Sequence, residues 1–247
     1  MLFRFLAGLR ELVRRRGQGE PVAYILGYKD FYNHRFEVNS ATLIPRPETE
    51  LLVEEILKWA KASENKDSLS LIDLGCGTGC IGLSLLKEIP HAKLLAVDVS
   101  EKALEVAQRN AAALEVLDRV RFVNADATNV DLVMSSFKDF MRHDKVDVLV
   151  SNPPYIATSD SAVQENVRKY EPSSALFADE EGLALLKNWS KTYAPYLKEH
   201  SLMLMEMGMT QAAAMQSHFQ DLKIFDQVRV IKDLAGLDRV IYGVKHG

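Results

Sequence analysis

From residue 69 onward the chain alternates short apolar runs with stretches of helical periodicity, and this rhythm restricts the fold more than any other feature. The runs occupy 69–74, 94–99, 120–123, 146–150, 202–205, 223–230 and 239–244, while helical spacing fills 79–88, 101–114, 180–199 and 210–219. Short continuous apolar runs belong to strands buried on both faces. Interleaved with helices they predict βαβ units, and so an α/β, Rossmann-like fold: a seven-stranded, mostly parallel sheet with helices on both faces. Sheets of this kind bind ligands outside the carboxyl ends of their strands, where the strand order reverses. The loops that follow strands are therefore where chemistry is expected.

Ahead of residue 69 the pattern is different. Residues 1–17 carry Leu2, Phe3, Phe5, Leu6, Leu9, Leu12 and Val13 on helical spacing, with five arginines and one acid. Such a segment is either an address, as a presequence or membrane-surface helix, or an amphipathic helix packed on the domain; the second reading is favoured. Gly17, Gly19 and Pro21 then mark a linker, and the aromatic, β-branched and turn residues of 22–44 predict a β-hairpin rather than helix. Pro45-Arg46-Pro47-Glu48-Thr49-Glu50 opens a helix. The expected division is an N-terminal helix at 1–19, a hairpin region at 20–45 and a main domain at 46–247.

The chain has 247 residues and a net charge of −4, enough for one large domain plus an appendage and too acidic for a nucleic-acid-wrapping surface. Its two cysteines, Cys76 and Cys80, fit a reducing, cytoplasmic setting and packing roles, and they lack the companions a zinc site needs. No apolar run is long enough to span a bilayer.

After the first run of the sheet comes Asp73-Leu74-Gly75-Cys76-Gly77-Thr78-Gly79. Glycines permit a sharp turn and close backbone approach, and the helix that starts there offers free N–H groups. Asp98, at the end of the second run and followed by Val99, can accept both hydroxyls of a ribose. The plainer readings are a tight strand-to-helix turn and a helix cap. Asn124-Ala125-Asp126-Ala127 follows the third run, where Asp126 either accepts from an adenine amino group or serves as a turn residue. Ser151-Asn152-Pro153-Pro154-Tyr155 follows the fourth. Its prolines fix the backbone and remove donors, Asn152 and the Pro153 carbonyl offer acceptors, and Tyr155 offers a flat face. Together they suit a planar nitrogen bearing hydrogens, such as an exocyclic amine or a carboxamide.

The Asp-Leu-Gly-Cys-Gly-Thr-Gly loop resembles the cofactor loop of class I S-adenosylmethionine-dependent methyltransferases, and Asn-Pro-Pro-Tyr is shared by those acting on planar nitrogens. The stretches 20–27 and 43–50, with Glu206-Met207-Gly208, Gln211 and 233–239, resemble the release-factor glutamine methyltransferases in particular. That resemblance implies transfer of a methyl group from S-adenosylmethionine to the side-chain nitrogen (N5) of the glutamine in the Gly-Gly-Gln tip of class-one release factors, leaving S-adenosylhomocysteine. It implies a cofactor site at Asp73, Gly75, Cys76, Gly77, Thr78, Gly79, Asp98, Val99, Asp126, Ala127 and Asn152. The acceptor site would be Asn152, Pro153, Pro154 and Tyr155 with Arg46 and Glu48, and catalysis would fall to Asn152, Pro153 and Tyr155 without a metal. For Arg46 and Glu48 the competing reading is a capped helix start with a surface ion pair. Family members usually begin with several docking helices, of which residues 1–19 resemble the last. The expected partner is a release factor, met by a monomer in the cytoplasm, with no membrane and no stable nucleic-acid binding. Three alternatives stay open: a ribosomal-protein glutamine methyltransferase, a nucleic-acid adenine-N6 methyltransferase, and a non-catalytic cofactor-binding module.

Overall fold

The structure, a computed structural model, describes residues 2–62 and 68–245, with 2–7 described in backbone only. In chain order the elements are α1 (Leu2–Gly17), α2 (Val22–Leu26), β1 (Tyr28–Phe31), β2 (His34–Glu37), α3 (Glu50–Ala62), β3 (Ser70–Leu74), α4 (Cys80–Glu88), β4 (Lys93–Asp98) and α5 (Glu101–Ala113). There follow β5 (Val120–Asn124), α6 (Val130–Met141), β6 (Val146–Ser151), β7 (Ile156–Ala157), α7 (Glu165–Tyr170), β8 (Phe177–Ala178), α8 (Ala184–Tyr193), β9 (Leu197–Glu206), α9 (Ala212–Asp221), β10 (Gln227–Lys232) and β11 (Asp238–Lys245).

Among the described residues, seven strands form one sheet in the order β10-β11-β9-β6-β3-β4-β5. All neighbours from β9 to β5 pair parallel, whereas β11 runs antiparallel to both β9 and β10. Alternation along the strands sends Leu71, Leu94, Val148 and Leu202 into a core shared with α3, α4 and α5. Their neighbours Ile72, Leu95, Leu149 and Met203 enter a second core with α6, α8 and α9. Both faces are thus covered, which is why the strands read as largely apolar runs. From β3 the chain steps outward through β4 and β5, then returns to place β6 on the other side of β3. The order reverses between β3 and β6, so the loops leaving these two strands open into one cleft.

Four expectations change. Residues 22–26 are a helical turn, held between Pro21 and Gly27, whose left-handed backbone (φ 79°) closes it as its N–H donates to Ala23 O. Proline before and glycine after a helix is the favourable asymmetry. The hairpin that follows, β1–β2, buries Phe31 and Phe36 in the first core. Residues 130–141, not read as periodic, form α6, with Val133, Met134, Phe137 and Met141 buried at helical spacing. The predicted helix at 180–199 is shorter: α8 ends before Pro195, and β9 begins at Leu197.

The fourth change concerns α1. Leu9, Leu12 and Val13 are exposed, so its described apolar face does not pack on the domain; the side chains of Leu2, Phe3, Phe5 and Leu6 lie outside the described residues. Contacts at its C-terminal end tie it down: Arg15 pairs with Glu20 (2.5 Å), and the Tyr170 hydroxyl donates to Gln18 O (2.9 Å). Among the described residues, no helix is long and apolar enough to cross a membrane.

Buried Asn110 of α5 joins the hairpin to the sheet. Its Oδ1 accepts from Glu37 N (2.7 Å), and its Nδ2 donates to Glu37 O (3.1 Å) and Thr78 O (3.0 Å).

Candidate active site

The glycine loop leaves β3 with Gly75, Gly77 and Gly79 all at positive φ (69°, 55° and 77°). Its first two N–H groups, of Gly75 and Cys76, donate to Val97 O of β4, folding the loop across the end of the sheet. At Gly79 a side chain would be doubly opposed, since a Cβ would stand 2.8 Å from Leu83 in addition to the left-handed strain. Beside Gly77 the space is open, and it faces a cavity whose wall includes Gly75, Cys76, Gly77, Thr78, Asp98, Val99, Asp126, Ala127, Asn152 and Pro154. Sequence reasoning named all of these.

Two backbone donors fix the Asp98 carboxylate. Gly77 N donates to its Oδ2 (2.8 Å) and Ser100 N to its Oδ1 (2.9 Å), fixing both oxygens in place while each keeps lone pairs for a ligand. Burial raises its carboxyl above the ordinary range, and these backbone donors oppose the rise. Asp126 lines the cavity and serves as a turn residue, its Oδ1 accepting from the backbone and hydroxyl of Thr128. Asp73 and Gly79 stand behind the wall. The Asp73 carboxylate is fully buried under the loop, where Oδ2 accepts from Gly82 N (3.2 Å), and burial pushes its pKa up to about 7. Burial also pushes both cysteine thiols up, Cys80 to about 12, which keeps them protonated packing groups.

The loop after β6 sits between this cavity and a second one, lined by Asn152, Pro153, Tyr155 and Arg46. Both cavities reach Leu43, Arg46, Asn152 and Ala175, so one amide borders the two spaces. Asn152 Nδ2 donates to Thr49 Oγ1 (3.2 Å); Thr49 donates to Glu206 Oε2 (2.6 Å), and the Tyr155 hydroxyl donates to Glu206 Oε1 (3.0 Å). The Pro153 carbonyl accepts no hydrogen bond among the described residues. Gln211 clamps the loop from behind: its Nε2 donates to Tyr155 O and Glu181 O (both 2.9 Å), and its Oε1 accepts from Gly208 N (2.8 Å).

Arg46 lines both cavities and pairs with Glu171 (2.6 Å), whose burial makes this an inward ion pair rather than the surface one expected. Glu48 is half-buried in the turn that opens α3 and lines neither cavity. Sequence reasoning gave no role to Thr49, Glu206 or Trp189. Trp189 lines the first cavity, and its ring lies 3.5 Å from where a Cβ on Gly75 would be. A legible signal existed for Glu206 alone, as an acid closing the apolar stretch Leu202–Met205 at a strand's carboxyl end.

The chemistry of these groups fits an S-adenosylmethionine site. Left-handed glycines leave room against the backbone, Asp98 suits a pair of hydroxyls, and the apolar Val99 and Ala127 suit a flat ring. A cleft of this kind, on a sheet of this order, is that of a class I S-adenosylmethionine-dependent methyltransferase, and residues 47–220 match the family model described as "Methyltransferase small domain". The hMettl16 catalytic domain, solved with a MAT2A 3'UTR hairpin, shares the fold at a TM-score of 0.60 and 14% identity, covering 86% of this chain and 77% of that one. Curated relatives are more specific. The chain is 38% identical to the release factor glutamine methyltransferase of Nitratidesulfovibrio vulgaris, over 94% of this chain and 75% of that one. It is 40% identical to the enzyme of that name from Chlorobaculum tepidum, over 95% and 78%. The chain belongs to the release factor glutamine methyltransferase family.

If Asp98 holds two cofactor hydroxyls, Asp98→Ala removes two charge-assisted hydrogen bonds. Each contributes about 1.5–3 kcal/mol, so cofactor affinity should fall at least roughly a hundredfold. Calorimetric titration with S-adenosylhomocysteine checks this, and an unchanged Kd would remove Asp98 from the cofactor site.

Proposed function

We propose that this protein transfers the methyl group of S-adenosylmethionine to the side-chain amide nitrogen of the glutamine in the Gly-Gly-Gln motif of class-one peptide chain release factors. The observation that carries this reading is Asn152, whose amide borders both cavities directly after β6 in a chain of this family. When bound, the cofactor supplies an electrophilic methyl on a sulfonium, and the residues named above for the first cavity would hold it.

A carboxamide nitrogen is a weak nucleophile because its lone pair is delocalised into the carbonyl. The residues on the acceptor side supply positioning. The Asn152 Oδ1 and the Pro153 carbonyl accept the two amide hydrogens and aim the nitrogen at the first cavity. Tyr155 bounds the plane of the group, and Arg46 closes the junction of the cavities. Orientation of this type can contribute on the order of 7–11 kcal/mol to lowering a barrier. Two fixed acceptors also stabilise the positive charge that grows on nitrogen as the methyl arrives, and the proton then leaves to solvent. The mild net acidity of −4 favours a protein acceptor over nucleic acid.

The test is a labelled-methyl transfer assay with purified class-one release factor, beside a version whose tip glutamine is replaced by alanine. Label on the first and not the second is expected. Equal labelling of both moves the acceptor to another residue, and label only on a ribosomal protein or an oligonucleotide overturns the reading.

A further inference from the structure

The acceptor amide of Asn152 has two ends of nearly equal size, and only one of them can receive a substrate N–H. We propose that Thr49 and Glu206 act together as positioning residues that set which end faces the acceptor site, a role that rests on the reading of Asn152 as the substrate's anchor. The argument follows from hydrogen-bond direction. Glu206 ends β9 fully buried; burial raises its carboxyl while the hydroxyls of Thr49 and Tyr155 and the charge of Arg239 oppose the rise, and in the ionised form it can only accept. It accepts from two hydroxyls, those of Thr49 and Tyr155. Thr49 has one hydroxyl proton and gives it to Glu206, so toward Asn152 it can only accept. Asn152 must then turn its NH2 to Thr49, which leaves Oδ1 as the end available to the cavities. By the same bond to Tyr155, the carboxylate fixes the phenol that walls the second cavity. Thr49 itself is buried and borders the first cavity, and no other side chain among the described residues accepts from the Asn152 amide.

The direction of this relay separates variants of nearly equal shape. Thr49→Val keeps the volume and removes the acceptor; Thr49→Ser keeps the hydroxyl. Glu206→Gln introduces a donor at an all-acceptor site, so one of the two hydroxyls must reverse. With wild-type release factor, Thr49→Val and Glu206→Gln should lower kcat by about 10²-fold, as for a small misplacement of a reacting group, with KM and cofactor Kd within about twofold. Thr49→Ser should recover most of the kcat lost in Thr49→Val.

A second readout does not depend on the substrate. In ¹⁵N-labelled full-length protein with S-adenosylhomocysteine, the Asn152 side-chain NH2 signals should shift in Thr49→Val and Glu206→Gln and stay in place in Thr49→Ser. Unmoved signals in Thr49→Val, or a serine variant as impaired as the valine one, would overturn the relay. Shifted signals in a protein that labels no release factor would support the relay and overturn the proposed substrate instead.

Discussion

Asn152→Ala should leave a folded protein that binds S-adenosylmethionine with nearly unchanged affinity and turns over roughly 10²–10³-fold more slowly, the cost of removing one preorganised group from a charge-developing site. Among the described residues the side chain makes one hydrogen bond, to Thr49, and that bond holds no element of the fold. Losing it removes an acceptor from the nitrogen without opening the core. Single-turnover transfer to release factor separates the chemical step from binding, and calorimetry supplies the cofactor Kd. An unchanged single-turnover rate would remove Asn152 from the chemistry, and with it the assignment of the second cavity to the acceptor.

Gly182→Ala should be the most disruptive change remote from the cofactor loop. Residues 180–182 all have positive φ (52°, 56° and 84°), a run that L side chains rarely adopt. A Cβ on Gly182 would lie 1.9 Å from the Tyr155 carbonyl oxygen and 2.7 Å from Gln211 Nε2. Nothing there can yield without breaking the Gln211 clamp on the Tyr155 loop. Left-handed strain of about 1–2 kcal/mol and overpacking of about 1–3 kcal/mol together predict a loss of about 2–5 kcal/mol. For a chain this long that lowers Tm by roughly 5–15 °C. Because the displaced group is the Tyr155 backbone, kcat should fall further than the fraction unfolded explains. A thermal melt paired with transfer rates well below Tm tests both parts; a wild-type Tm would show that the close packing at Gly182 is not maintained in solution.

The sheet was legible because its central strands are covered on both sides, so burial is written as apolar runs such as Leu94–Val97 and Val148–Val150. The two loops at the cleft were legible for a different reason. Gly75, Gly77 and Gly79 answer a backbone demand, and Asn152 to Tyr155 form a rigid acceptor turn, both of which are local in sequence. The relay was not legible, because Thr49 meets Asn152 across 103 positions and Glu206 across 157, and no local pattern records such a meeting. The exposed face of α1 was misread because an amphipathic period states that a face is apolar and is silent about what covers it. Glu48, within the same six-residue motif as Arg46, shows the converse: membership of a motif does not put a side chain on the cavity wall.

Asn110 also bears on how the molecule breathes. Its amide is shared between the edge of the hairpin and the carbonyl of Thr78 in the glycine loop, so the hairpin cannot peel away without loosening the loop's anchor. The two segments, 32 or more residues apart in sequence from that anchor, are therefore expected to open together, which hydrogen exchange at Glu37 and in the glycine loop would check. Occupancy of the loop should then lower the population of the open form by mass action, so a filled cleft is expected to protect a hairpin that does not line the first cavity.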